Sequence, residues 1–249
     1  MIKKEIKDLV LIHGWGFDNR IWRNFILHLE DQWRVTCIDL PGYGAREKLA
    51  DADIDQIVSD VESDIPDNAV LFAWSLGGLI AIKLAHSRSD IKALVLIASS
   101  PCFLNKQDWQ HGVEPADFDQ LVSQLSEDKI KTLQTFAGLV TMGEEHPKQT
   151  ISELNKQLVS DVPDHETLMS GLKILRDEDL RPALIMKSCP IGIIFGENDI
   201  LVKRSTGEAI QASRPDIHTI EISATGHAPF LSRPQETADA LLKLTARLI

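Results

Sequence analysis

The sequence predicts an α/β domain: a mostly parallel, doubly wound sheet with a helical lid inserted into it. Three observations predict it. Short apolar runs end repeatedly at glycine-bearing turns. Stretches with helical spacing of apolar residues lie between those runs. From about residue 106 to 180 the strand signals vanish while helical spacing continues. Apolar runs bounded by glycine mark strands buried on both faces, the habit of parallel sheets. The alternation of strand and helix argues for helices on both faces.

Taken in order, Leu9-Val-Leu-Ile12 is the first strand and ends at His13-Gly-Trp-Gly16. Arg34–Asp39 is the second and ends at Leu40-Pro-Gly-Tyr-Gly44. Ala69–Ala73 is the third and runs into Trp74-Ser-Leu-Gly-Gly78. Ile91–Ile97, Ile191–Phe195 and His218–Ile222 complete the set. Helices are predicted where Ile54, Ile57, Val58 and Val61 share a face, across Leu79–Ala85, and across Ala238–Ala246. In the lid, Phe118, Leu121 and Leu125 keep helical spacing. So do Leu133, Phe136 and Val140, then Ile151, Leu154 and Leu158. The expected division is a core of residues 1–105 and 181–249 around a lid of 106–180.

Composition narrows the function. Acidic residues number 37 against 26 basic ones, a net charge of −11, which disfavours general binding to a phosphate backbone. The cysteines, Cys37, Cys102 and Cys189, are odd in number and far apart. They make neither a metal pattern nor a disulfide framework, which suits a reducing compartment. Charges fill the first residues where a signal peptide needs an apolar core. The uncharged run Ala69–Ile82 falls short of the roughly 20 residues that span a bilayer. The expectation is a cytoplasmic, soluble monomer with no nucleic-acid or membrane partner, no metal and no cofactor.

The sharpest chemical signal is Ala73-Trp-Ser75-Leu-Gly77. It follows a strand and opens a helix, the context of a nucleophile elbow, in which a serine sits on a strained turn with its hydroxyl exposed. Small residues are needed two positions before and after it. Gly77 meets this, and Ala73 departs from the commoner glycine by one methyl group. The bland alternative is a serine that only caps the helix. A neutral hydroxyl is a poor nucleophile and needs a base. Of the eight histidines, His227 stands in Ala224-Thr-Gly-His-Ala-Pro-Phe230, directly after the last strand. His13 reads as structural. An acid must hold the histidine's tautomer, and Asp199 in Gly196-Glu-Asn-Asp199 is the first choice, with Glu197 the runner-up. Asp39 reads as structural. The order Ser75, Asp199, His227 at successive strand ends is that of a serine hydrolase. Two backbone N–H groups should hold the oxyanion, those of Leu76 and Trp15.

These residues resemble the α/β-hydrolase superfamily over nearly the whole chain. His13-Gly-Trp-Gly16, Trp22, Asp39-Leu-Pro-Gly42, Trp74-Ser-Leu-Gly-Gly78 and Ala98-Ser-Ser-Pro-Cys-Phe103 narrow the resemblance. With Thr141-Met-Gly143 and Gly226-His-Ala-Pro-Phe230, they are similar to the pimeloyl-acyl-carrier-protein methyl ester esterases of biotin synthesis. That resemblance implies hydrolysis of a methyl ester on a pimeloyl chain held by an acyl carrier protein. It implies a pocket of Trp15, Ser75, Leu76 and His227, closed by a lid turn of Phe136, Ala137, Gly138, Leu139 and Val140. It also implies basic residues on the lid to meet the acidic carrier. Lys131 and Lys148 stand in the matching stretch, but Thr135 and Ser152 occupy places where further basic residues are expected. Lys148, Ser152 and Lys156 form an i, i+4, i+8 row, opposite a lid-core face of Ile151, Leu154 and Leu158, with Lys129 near in sequence. Two other readings stay open on sequence: another hydrolase of this fold, acting on short acyl esters, thioesters or C–C bonds, and a hydrolase-like binding protein with little turnover.

Overall fold

The computed structural model describes residues 6–29, 31–186 and 189–249, so most of the charged N-terminal run lies outside the described residues. Six strands form one sheet: β1 (Lys7–Ile12), β2 (Trp33–Ile38), β3 (Val70–Trp74), β4 (Ala93–Ile97), β5 (Ile191–Gly196) and β6 (His218–Ile222). Their order is β2-β1-β3-β4-β5-β6, and every pairing is parallel. All six predicted strands are present, and those at the centre are the most apolar. Every residue of β3, β4 and β5 is buried, as expected for strands covered on both faces.

The helices are α1 (Arg23–Ile26), α2 (Ile54–Val61), α3 (Leu76–Ser87), α4 (Pro115–Glu127), α5 (Lys129–Val140), α6 (Pro147–Ser160), α7 (His165–Asp177), α8 (Arg181–Met186), α9 (Arg204–Ser213), α10 (Pro229–Ser232) and α11 (Pro234–Leu248). From β1 to β2 the chain steps one way across the sheet; every later step goes the other way. With right-handed crossovers, α1 falls on one face and α2, α3, α8 and α9 on the other. The contacts agree, since α3 packs on α2 and α8 while α11 returns to pack on α1. The reversal leaves a crevice beyond the C-terminal ends of β1 and β3, where ligands bind in open α/β sheets. His13–Gly16 and Ser75 leave the sheet at that crevice.

Local chemistry fixes the helix ends. At α2 the Asp53 carboxylate accepts from the Gln56 amide while the Gln56 side chain accepts from the Asp53 amide, a reciprocal cap. Helix α3 is apolar almost all round and is buried from Leu76 to Ile82, the pattern of a helix enclosed by its neighbours. Helices α4 to α7 all lie between β4 and β5.

The lid departs from the sequence reading in two ways. Helix α7 lies outside the helices expected from the sequence, although Leu168, Leu172 and Leu175 are all buried. On α6, Leu154 and Leu158 are buried as expected, but Ile151 is half-exposed and joins Lys148, Ser152, Asn155 and Lys156 along an open surface depression. Thr150, beside the buried carboxyl of Glu144, takes the inward place instead.

Candidate active site

Ser75 ends the β3 turn with φ +54° and ψ −120°, a conformation that a non-glycine residue holds only when its surroundings impose it. Those surroundings are visible. The Ser75 amide donates to Ile97 O on β4 at 3.2 Å, and the Ser99 hydroxyl donates to Ser75 O at 2.8 Å. A Cβ built on Gly77 would sit 2.5 Å from His13 O and 2.6 Å from Ile12 O, so only glycine lets α3 approach β1 this closely. Ala73, on the strand side, is fully buried between Ile12 and Leu96, with room for its one methyl group. The departure from glycine is accommodated there.

His227 Nε2 lies 2.9 Å from Ser75 Oγ, and His227 Nδ1 lies 2.8 Å from Asp199 Oδ2. An ionised carboxylate only accepts, so Nδ1 carries the hydrogen and Nε2 is left to accept from the serine hydroxyl. The other oxygen, Asp199 Oδ1, accepts from the amides of Leu201 at 2.8 Å and Val202 at 3.0 Å. All three residues are buried. Glu197, the runner-up acid, is exposed and does not reach the imidazole. Its Oε2 accepts from the Ala224 amide at 2.8 Å, tethering the loop that carries His227. Trp74 Nε1 donates to His227 O at 2.8 Å, and the His227 amide donates to Val140 O at 2.9 Å. Phe230, at the end of the same loop, packs among Trp22, Phe25 and Trp74, edge-on to the last two. The histidine therefore stands on backbone held from several sides.

His13 is structural as expected. Its Nδ1 donates to Gly14 O at 2.9 Å and its Nε2 accepts from the Leu40 amide at 3.0 Å. Burial pushes its pKa below the usual histidine value, which keeps it neutral in that bridge. Asp39 binds the amide and side chain of Asn19, again a structural pairing. Leu76 and Trp15 are both buried, and among the described residues neither backbone amide meets a hydrogen-bond acceptor. Buried amides without partners are rare.

A cavity of about 310 Å³ opens onto Ser75 and His227. Of the expected pocket residues, Trp15, Phe136 and Leu139 also line it; Leu76, Ala137, Gly138 and Val140 do not. Phe136 and Leu139, i and i+3 on α5, reach the cavity, whereas Ala137 and Val140 are fully buried behind them. Val140 serves through its carbonyl, which holds His227. The sequence reading did not place Phe103, Leu172 and Leu175 in the wall. Phe103 belongs to the Ser-Ser-Pro-Cys-Phe run, while the two leucines sit on α7. Lys131, Lys148 and Lys156 are exposed, and Lys129 is tied to Pro163 O at 2.9 Å. Among the described residues, no group of three or more His, Cys, Asp or Glu side chains could hold a metal ion, and no helix is long and apolar enough to cross a membrane.

A family model described as the alpha/beta hydrolase family matches residues 9–240. The chain belongs to the alpha/beta hydrolase family. This hydrolase is 38% identical over 242 residues to a Cronobacter sakazakii protein named pimeloyl-[acyl-carrier protein] methyl ester esterase, covering 96% of this chain and 93% of that one. A protein of the same name from Aliivibrio fischeri is 37% identical over 93% of this chain and 91% of its own. Among solved structures, the hydrolase superposes on an esterase, EaEST, from Exiguobacterium antarcticum with a TM-score of 0.86 at 24% identity, over 96% of this chain and 92% of that one. It superposes on a bromoperoxidase from Bacillus anthracis at 0.88 and 20% identity, over 97% and 92%. At those identities the likeness is one of fold, and an esterase beside a bromoperoxidase illustrates that a fold does not name a reaction.

Proposed function

We propose that this hydrolase is a serine carboxylesterase that removes the methyl ester from pimeloyl-acyl carrier protein in biotin synthesis. The observation that carries the reading is the hydrogen-bonded series Ser75–His227–Asp199 opening on a mostly apolar cavity. The relatives' shared name points to the same substrate. Ser75 Oγ attacks the ester carbonyl carbon as its proton passes to His227 Nε2, and Asp199 stabilises the imidazolium. The amides of Trp15 and Leu76 hold the oxyanion. The C–O bond to the methoxy group breaks, His227 returns the proton, and methanol leaves. Water then attacks the acyl-enzyme by the same route and releases the carboxylate. No step calls for a cofactor or metal.

The substrate carries two carbonyls of this kind, one in the methyl ester and one in the thioester to the carrier. A cavity of about 310 Å³ admits an acyl chain but not a protein domain. The carrier therefore stays outside, and the end remote from it reaches Ser75. That explains how the more reactive thioester survives. Residues 106–180 form the lid over this entry, on a core of 1–105 and 181–249. The exposed Lys131, Lys148 and Lys156 supply positive charge for the acidic carrier. The protein works as a cytoplasmic monomer.

The test compares initial rates on methyl esters of pimeloyl, shorter and longer chains, free and carrier-bound, for the native protein and for Ser75→Ala. The expected result is a preference for carrier-bound pimeloyl methyl ester, release of methanol with the thioester intact, and loss of nearly all turnover in Ser75→Ala. Equal rates on all carriers and chain lengths would mark a general short-acyl esterase. Preferential release of free carrier would mark a thioesterase.

A further inference from the structure

The Thr141-Met-Gly143 turn ends α5 and is not needed for any step of the proposed chemistry, yet it lies against both loops that carry the histidine and the acid. The His227 amide donates to Val140 O at 2.9 Å, and the Glu145 amide donates to Ala224 O at 3.3 Å. A Cβ built on Gly226 would stand 2.7 Å from both Val140 O and Met142 O, so the histidine loop is pressed flat against the end of the helix. On the other side, the Asn198 amide donates to Thr225 O at 2.9 Å, and Asn198 Nδ2 donates to Gly143 O at 2.9 Å. Gly143 has φ +87°, and a Cβ there would approach Asn198 Cβ to 2.4 Å. Only glycine fits that turn, both for its backbone conformation and for the contact.

We propose that Asn198 is a positioning residue that locks the lid's α5 turn to the Asp199 and His227 loops, so that the lid wall and the general base share one anchor. Asn198 immediately precedes Asp199. Its backbone holds the histidine loop, and its side-chain amide holds the turn at the end of the helix that places Phe136 and Leu139 in the cavity wall. Without the side-chain bond, loop 224–227 keeps its Asn198, Val140 and Trp74 backbone contacts, but the 141–143 turn, which follows the Val140 carbonyl that holds the His227 amide, loses its tie to the acid loop. The Nδ1–Oδ2 and Nε2–Oγ distances then widen together. Asn198 is exposed, so its hydrogen bond adds little to global stability; its effect is geometric. Misplacement of a catalytic group by about 1 Å costs up to roughly 100-fold in rate, and the partial loosening here corresponds to about a tenfold loss of kcat.

This inference rests on the proposed triad, and the experiment separates the two. Native protein, Asn198→Ala, Asn198→Asp, Asp199→Asn and the double variant Asn198→Ala/Asp199→Asn are compared on a small free methyl ester, with thermal unfolding of each. Asn198→Asp keeps the shape of the side chain but sets an acceptor against Gly143 O, and so guards against an idiosyncrasy of the alanine. The expected result is a fall in kcat of about tenfold in both Asn198 variants, with KM within twofold and unfolding temperature within a few degrees. In the Asp199→Asn background, Asn198→Ala should add little, because residues that act as a unit are non-additive. Four results overturn the proposal: unchanged kcat, a rise in KM alone, the same tenfold loss in both backgrounds, or a kcat loss that only accompanies thermal destabilisation. Full activity in Asp199→Asn overturns the triad itself.

Discussion

Glu144 offers a test in which the structure sets the sign and the size of the effect. Its side chain is buried in the turn between α5 and α6, and burial pushes its pKa from the usual 4.5 to about 7. The hydroxyls of Thr150 and Ser232 offset part of that cost, but among the described residues neither carboxylate oxygen meets a partner of good hydrogen-bond geometry. Arg233, next to Ser232 in sequence, is engaged with Glu145. The folded protein thus holds the proton more tightly than the unfolded chain. Stability from this group is fully present below pH 4.5 and is lost as pH rises through about 7. Linkage puts the loss above that pH on the order of 3 kcal/mol. Glu144→Gln keeps the shape and removes the charge. The buried amide brings its own unmet donors, worth about 1–3 kcal/mol, so the net gain at pH 8 should be on the order of 1 kcal/mol. For a chain of this size that is a rise of about 2–4 °C in Tm. At pH 5 the charge penalty is mostly absent, and the variant should be level with the native protein or slightly less stable. The assay is denaturant unfolding of both proteins across pH 5 to 8. A stability difference that does not change with pH over that range would refute the reasoning, because the titration is what generates it.

The remaining predictions concern the site. Asp199→Asn should cost on the order of 10⁴ in kcat, by analogy with the serine-protease triad. Glu197→Gln should be mild, because among the described residues its carboxylate accepts only from the Ala224 amide; steady-state kinetics on a small ester rank the two, and the reverse ranking would make Glu197 the acid. Gly77→Ala should prevent normal folding or abolish turnover, since its Cβ would lie 2.5 Å from a backbone carbonyl. Ala73→Gly should be nearly silent and Ala73→Val severe; circular dichroism and activity together check this group, and an active, stable valine variant would show that the turn is not tight. Charge reversal of Lys131, Lys148 and Lys156 to glutamate should lower kcat/KM for carrier-bound ester, most at low salt. It should leave kcat on a small ester unchanged; equal losses on both substrates point instead to a damaged lid.

What could be read from the sequence follows from which physical signals are local. The strands at β3, β4 and β5 were legible because burial on both faces leaves an unbroken apolar run. Ser75 was legible because a strained turn between strand and helix demands small residues at fixed offsets, and Gly77 meets that demand at His13 O. Choosing Asp199 over Glu197 was harder, since both follow β5. Only the fold shows one side chain buried on the imidazole and the other exposed on Ala224. The lid was least legible. Apolar spacing marks a helical face without saying whether that face meets a core, a cavity or a neighbouring loop. Phe136, Leu139 and Val140 all belong to the apolar side of α5, yet two wall the cavity while the third offers a carbonyl to His227. For the same reason the spacing places Ile151 inward, whereas Thr150 takes the buried position near Glu144. The Thr-Met-Gly turn stood out in the sequence but had no periodicity to explain it. Its reason is tertiary: Gly143 must clear Asn198, and the carbonyls of Val140 and Met142 must clear Gly226. A motif that neither periodicity nor capping requires is therefore best sought where two loops meet, and here those loops carry the acid and the base.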